Sequence, residues 1–221
     1  MSMEEGLSLV TIINSVASFM QNGGIFMWVI AATWAIGLAI SMDRFLKLAN
    51  KYDIDGPSFM NELQRYILSN DIQGAIRVCS GSMAMLPKVL KSGLKRSTQS
   101  PDQIQNAIDA TALEVIPKIE LRLNYLQLIA NISTLFGLLG TIQGLIMAFA
   151  ALKDVDPTQK AQFLADGISM AMNTTFLGLL AAISIMVFHT FLSSKSEKIV
   201  NEIDEYSVKL MDLLGTKKIS E

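Results

Sequence analysis

Residues 126–152 read LQLIANISTLFGLLGTIQGLIMAFAAL, without one charged side chain. A helix crosses a hydrocarbon core of about 30 Å with roughly 20 apolar residues, so this run is long enough to span a bilayer. Thr134, Gly137, Thr141, Gly144, Ala148 and Ala151 recur within it at spacings of 3, 4, 3, 4 and 3. They make one helix face of small residues, and Gly140 with Gly144 adds a small-xxx-small pair. In lipid such a face lets a second helix approach closely, and its hydroxyls can bond across the contact. The same short side chains also suit the wall of a narrow pore.

Two further stretches share the absence of charge. One lies between Gly6 and Met42; the other, residues 167–194, reads GISMAMNTTFLGLLAAISIMVFHTFLSS. The latter carries a second small-residue stripe, Ala171, Thr175, Gly178 and Ala182, at spacings of 4, 3 and 4. Asn173, Thr174 and Thr175 form a polar step in an otherwise apolar helix, and such groups face protein or water rather than lipid. The whole chain is 51% hydrophobic, 17% charged and has a mean hydropathy of +0.39. These features predict an all-α integral membrane protein with three transmembrane helices, over 23–42, 123–152 and 167–194, and long cytoplasmic helical extensions.

Charge distribution sets the expected orientation. Residues 1–22 carry no Lys or Arg, whereas eleven of the 18 lie in 43–122, Arg44 and Lys47 directly after the first span. The short 153–166 loop has only Lys153 and Lys160. The positive-inside rule therefore places 43–122 and the 195–221 tail in the cytoplasm, and the 1–22 segment, read as helical, and the 153–166 loop on the periplasmic side of a bacterial inner membrane. Glu4 and Glu5 stand where a secretory leader would be positive, so the first apolar segment reads as a retained helix. Trp28 is a candidate interfacial anchor near its outer end.

The polar segments are patterned as helices. Phe59, Leu63, Tyr66 and Ile67 share one face, and Ile72, Ala75, Ile76 and Cys79 continue after a break near Asn70, making Cys79 a small core residue. Ser100-Pro101-Asp102-Gln103 is a helix start with capping-box residues, and Pro117 should bend or break that helix before the second span. Ile199, Ile203, Tyr206, Leu210 and Leu213 form a narrow seam in the tail, suited to a helical bundle that stabilises an oligomer. The third span is expected to run on as one long helix.

Several functions are excluded. One cysteine and one histidine leave no intramolecular disulfide and no cysteine-rich or histidine-cluster metal site, no cofactor is expected, and no basic–aromatic patch would grip nucleic acid. No nucleophile–base pair or phosphate loop points to an enzyme. No acidic residue lies inside any span, so threonines could relay or orient a proton but not titrate near neutral pH; a carboxylate would have to come from another chain. His189, near the cytoplasmic end of its span, reads as interfacial.

At GLLGTIQGLI (137–146) and GISMAMNTTFLGLLAAI (167–183) the chain resembles the ExbB/TolQ/MotA family. AMNTTFLGLLA (171–181) also looks like the corresponding helix of MotA stator subunits, although three spans match ExbB/TolQ and MotA has four. The resemblance implies a homopentameric ring whose pore is lined by the second and third spans. It also implies a dimer of a single-span ExbD/TolR/MotB-like partner, which brings a membrane aspartate that protons load and unload. Proton-motive force would then become mechanical work, with H⁺ transported and no carboxylate cluster in favour of Na⁺. By motif position Thr141 and Thr175 would line the proton site, with Thr134, Thr174 and Asn173 on the pathway. Gly137, Gly140, Gly144, Gly178, Ala171 and Ala182 are the expected packing residues. The family often has a glutamate where this chain has Met170 and a proline at Ser184, which leaves the partner aspartate as sole carboxylate. The competing reading is a non-conducting membrane scaffold built on the same packing stripes.

Overall fold

A computed structural model of the chain describes residues 14–152 and 156–220; positions 1–13, the start of the expected N-terminal helix, and Lys153 lie outside the described residues. All regular structure among the described residues is helical, with no strand. A short helix α1 (14–22) leads into α2 (Gly24–Lys47), and a π-helical turn over Leu48–Tyr52 follows. Then come α3 (Gly56–Leu68), α4 (Ile72–Ser80), α5 (Met85–Leu94), α6 (Pro101–Glu120), α7 (Leu123–Ala151) and α8 (Lys160–Ser220). Three helical stretches are long and apolar enough to cross a membrane; they contain α2, α7 and the first half of α8.

The chain divides into two compact units. The first comprises residues 1–41 and 124–189. Its chain turns at Gly23-Gly24, where Gly24 adopts φ +69°, a conformation glycine takes without strain. Met27 and Ile30 of α2 pack with Leu177 and Ala181 of α8, and Phe136 of α7 lies against them. Outside this contact the helices present large apolar side chains to the surroundings, among them Trp28, Leu135, Ile146, Phe149, Phe176, Ile183 and Val187. A water-soluble protein does not leave so much contiguous apolar surface open, and lipid or other membrane chains must cover it.

The second unit comprises residues 42–123 and 190–221. Here the amphipathic patterns of the sequence become one core: Leu63 and Ile67 of α3, Ala75 and Cys79 of α4, Val89 and Leu90 of α5, Ile108 and Val115 of α6. Asp71 caps α4 by accepting from the Gly74 amide at 2.7 Å, and Asn70 makes the preceding turn at φ 60°. The Gln103 side chain accepts from the Ser100 amide at 3.4 Å, its half of the predicted capping box. Ile199, Ile203, Tyr206 and Leu210 belong to this same core. A Cβ at Gly56 of α3 would lie 2.6 Å from the Tyr206 ring, and one at Gly93 of α5 3.3 Å from Leu210. The narrow seam read in the tail thus packs into a helical bundle within its own chain. Burial pushes the Cys79 thiol up to about 11, which leaves it a packing residue and not a nucleophile.

Leu63 is 0% exposed. Leu63→Ala is expected to destabilise this unit by about 2–5 kcal/mol, the transfer term plus the cavity left behind, read as a lowered melting temperature in mild detergent. Unchanged melting would contradict the packing described.

Pro117 does not end α6, which continues to Glu120. The break falls later, at Leu121-Arg122, where Arg122 takes φ 66°, strained for a residue with a side chain. Two contacts lie near this break within the second unit. Arg122 pairs with Asp43 at 3.5 Å, and Arg44, only 1% exposed, donates from Nη1 to the Lys118 carbonyl at 3.3 Å, close to the end of α6. The buried Arg44 Nε has no hydrogen-bond acceptor.

Candidate functional site

The small residues of α7 and α8 meet as an antiparallel seam. A Cβ built on Gly178 would lie 2.8 Å from the Ser133 carbonyl oxygen and 2.9 Å from Gly137 Cα. One on Gly140 would lie 2.5 Å from Thr174 Oγ1, and one on Gly144 2.9 Å from the Gly167 carbonyl and 3.0 Å from the Ala171 amide. The contact row is therefore Ser133, Gly137, Gly140, Gly144 and Ala148 on α7 against Gly178, Thr174, Ala171 and Gly167 on α8. The five glycines and two alanines of this row lie where only hydrogen or a methyl group fits between two backbones. Ala182, on the next turn of α8, is buried as well.

The seam is rotated by about one residue from the face read in the sequence. Ser133 belongs to it, and Thr134 and Thr141, expected on the face, sit one residue beyond its members. In an antiparallel pair of right-handed helices, the residue after a contact residue points to the same side of the pair on both helices. Thr134 follows Ser133, Thr141 follows Gly140 and Thr175 follows Thr174, so these three threonines share one flank. The Thr175 hydroxyl reaches across to the Gly137 carbonyl at 3.4 Å, which agrees with this placement.

The polar step Asn173-Thr174-Thr175 is split three ways. Thr174 is 1% exposed, inside the seam over Gly140, and its hydroxyl donates to the Ala171 and Met170 carbonyls at 2.9 and 3.1 Å. Within this chain Thr174 packs and faces no open surface. Asn173 lies on the opposite flank, in register with Met170 and Leu177, the side on which α2 docks. Gly24 of α2 is there against Met170, whose thioether would lie 3.4 Å from a Cβ at Gly24.

The hydroxyl protons on the threonine flank are committed to main-chain carbonyls. Thr134 donates to Ala130 at 3.3 Å, Thr141 to Leu138 at 2.6 Å, and Thr175 shares its proton between Ala171 at 3.2 Å and Gly137 at 3.4 Å. What remains outward on each oxygen is lone pairs. The flank can accept hydrogen bonds from water, hydronium or a protonated carboxyl group, and it holds no group that titrates. No cluster of metal-binding side chains occurs among the described residues.

Comparison with known proteins bears on this arrangement. Residues 82–205 match the model of the MotA/TolQ/ExbB proton channel family. A biopolymer transport protein ExbB homolog of Methanothermobacter thermautotrophicus is 21% identical over 197 residues, covering 89% of this chain and 69% of that protein. The Tol-Pal system protein TolQ of Haemophilus influenzae is 34% identical over 99 residues, 43% of each chain. Biopolymer transport protein exbB1 of Vibrio cholerae is 37% identical over 82 residues, 37% of this chain and 36% of that one. Among solved structures, that of C. jejuni MotAB superposes with a TM-score of 0.58 at 13% identity, covering 97% of this chain and 89% of that one, a likeness of fold.

Proposed function

Because this chain belongs to the MotA/TolQ/ExbB proton channel family, we propose that it is the ring subunit of an inner-membrane motor that turns proton-motive force into mechanical work. The observation that carries the reading is the threonine flank: three hydroxyl acceptors on one side of a close-packed helix pair, in spans that contain no carboxylate. Such a surface complements a titrating group delivered by another chain. We place there the membrane aspartate of a single-span ExbD/TolR/MotB-like dimer, enclosed by a homopentamer of this subunit.

In this mechanism the aspartate takes up a proton from the periplasmic side and, once neutral, donates its O–H to a threonine oxygen of the flank. Neutralisation removes the cost of holding a carboxylate in a low-dielectric wall, and lets the partner helix move to the next subunit. Release to the cytoplasm restores the charge. The ring contributes acceptors, shape and exclusion of lipid; the partner contributes the charge that is switched. The proposed orientation has the N-terminus in the periplasm and residues 43–122 and 195–221 in the cytoplasm.

Purification of the tagged chain from its native membrane in mild detergent tests this directly. The expected result is a homo-oligomer with a single-span protein that has an aspartate in its membrane helix, and liposomes holding that complex take up protons under an imposed potential. A homo-oligomer that is recovered repeatedly without such a partner, and conducts nothing, would instead favour the scaffold reading.

A further inference from the structure

Ser184 ties α8 to α2 inside the membrane unit. Trp34 Nε1 donates to Ser184 Oγ at 2.8 Å, and Ser184 Oγ donates to the Ala181 carbonyl at 2.9 Å. The Trp34 ring is half-buried against the Met27, Ile30, Leu177 and Ala181 cluster. One turn further along α2, Gly37 lies close to both other helices: a Cβ there would lie 2.6 Å from Ile185 Cδ1 on α8 and 3.2 Å from Ile129 Cγ2 on α7. The indole and hydroxyl therefore meet where α2 is wedged against both other helices.

The angular position of Ser184 gives this bond a second meaning. Ser184 comes nine residues after Thr175, and at about 100° per residue the two side chains point to opposite sides of α8. Any turn of α8 about its own axis that swings Thr175 off its flank must carry Ser184 away from Trp34. In the low-dielectric interior a separated indole N–H has no water to replace the lost acceptor. The apolar contacts beside it resist rotation less selectively, because methyl groups slide over one another without a preferred partner.

We propose that the Trp34–Ser184 hydrogen bond is a rotational stop on α8, holding the helix at the angle that presents Thr175 beside Thr141, so that Trp34 and Ser184 are positioning residues for proton passage. This rests on the proton-conducting reading above.

The test uses the complex purified from its native membrane and returned to liposomes, with Trp28→Phe so that Trp34 is this chain's sole tryptophan. Ser184→Ala is expected to shift Trp34 emission to the blue as the indole loses its acceptor. It should also lower proton flux per complex by about threefold to twentyfold, the range that one interhelical hydrogen bond supports. Trp34→Phe should lower flux equally, the double variant no further, and Ser184→Thr, which keeps the hydroxyl, should restore both emission and flux. Unchanged emission or unchanged flux in Ser184→Ala, or additive losses in the double variant, would overturn the stop while leaving the channel reading intact. A parent complex that conducts nothing would overturn both. If Ser184→Ala and Trp34→Phe each fail to assemble, the bond serves folding alone and the proposal falls.

Discussion

Gly178→Leu will prevent α7 and α8 from closing, and no intact oligomer will be recovered from the membrane. Position 178 faces main chain on two sides, the Ser133 carbonyl at 2.8 Å and Gly137 Cα at 2.9 Å from where a Cβ would sit. Backbone atoms of a packed helix cannot step aside as a side chain can. The helices must separate by an ångström or more, and the contacts from Ser133 to Ala148 are lost together. Overpacking of this kind costs about 1–3 kcal/mol in ordinary cores, and more where the obstacle is rigid. Gly140→Ala should be milder, because it adds one methyl group where leucine adds four carbons, although that methyl meets the Thr174 side chain. Gly215→Ala, which meets nothing within 4 Å, should leave the protein unharmed or slightly stabilised through helix propensity. Size-exclusion chromatography and thermal melting in detergent rank the three. Equal behaviour of Gly178→Leu and Gly215→Ala would overturn the seam.

Thr175→Val should lower proton flux through the assembled complex by about tenfold while leaving assembly intact. Valine keeps the volume and β-branching of threonine and removes only the hydroxyl. Loss of one hydrogen-bond acceptor facing a polar or charged group costs about 1.5–3 kcal/mol, and each 1.4 kcal/mol is a factor of ten. Thr141→Val should act in the same direction. Its hydroxyl bonds only within its own helix, through Leu138, so its removal disturbs packing still less. Thr175→Ser keeps the acceptor and should retain most of the flux. The readout is acidification of liposomes under a fixed potential, normalised to complex recovered; full flux in both valine variants would remove the threonine flank from the mechanism.

Much of this architecture is legible in the sequence. Charge-free runs of more than 20 residues can do little but cross a membrane, and the Ser100-Pro101 start and the break at Asn70 follow from local backbone chemistry. The rotation of the seam was not legible. A stripe of small residues at spacings of 3 and 4 is wide enough to include both Ser133 and Thr134, and only the partner helix decides which faces inward. Consecutive residues such as Asn173, Thr174 and Thr175 read as one polar step along the chain, yet each turns 100° from the last. The α5 helix has helical spacing at Leu86, Val89, Leu90 and Leu94, and Pro87 sits in its first turn, where a missing amide is tolerated. Pro117 does not end α6, which tolerates the missing amide and stops where Leu121 leaves helical geometry. The tail seam was correctly apolar, but a sequence pattern cannot distinguish a neighbour in the same chain from one in the next.

Arg44 has a consequence for the order in which the chain is made. Its guanidinium reaches the carbonyl of Lys118, 74 residues downstream. As synthesis proceeds, the first hydrophobic segment and the arginine at its end emerge long before that carbonyl exists. Until then the charge keeps a hydrated position and resists being drawn into the bilayer. The contact cannot form before Lys118 is made, so this hydrogen bond closes only on a chain translated as far as α6.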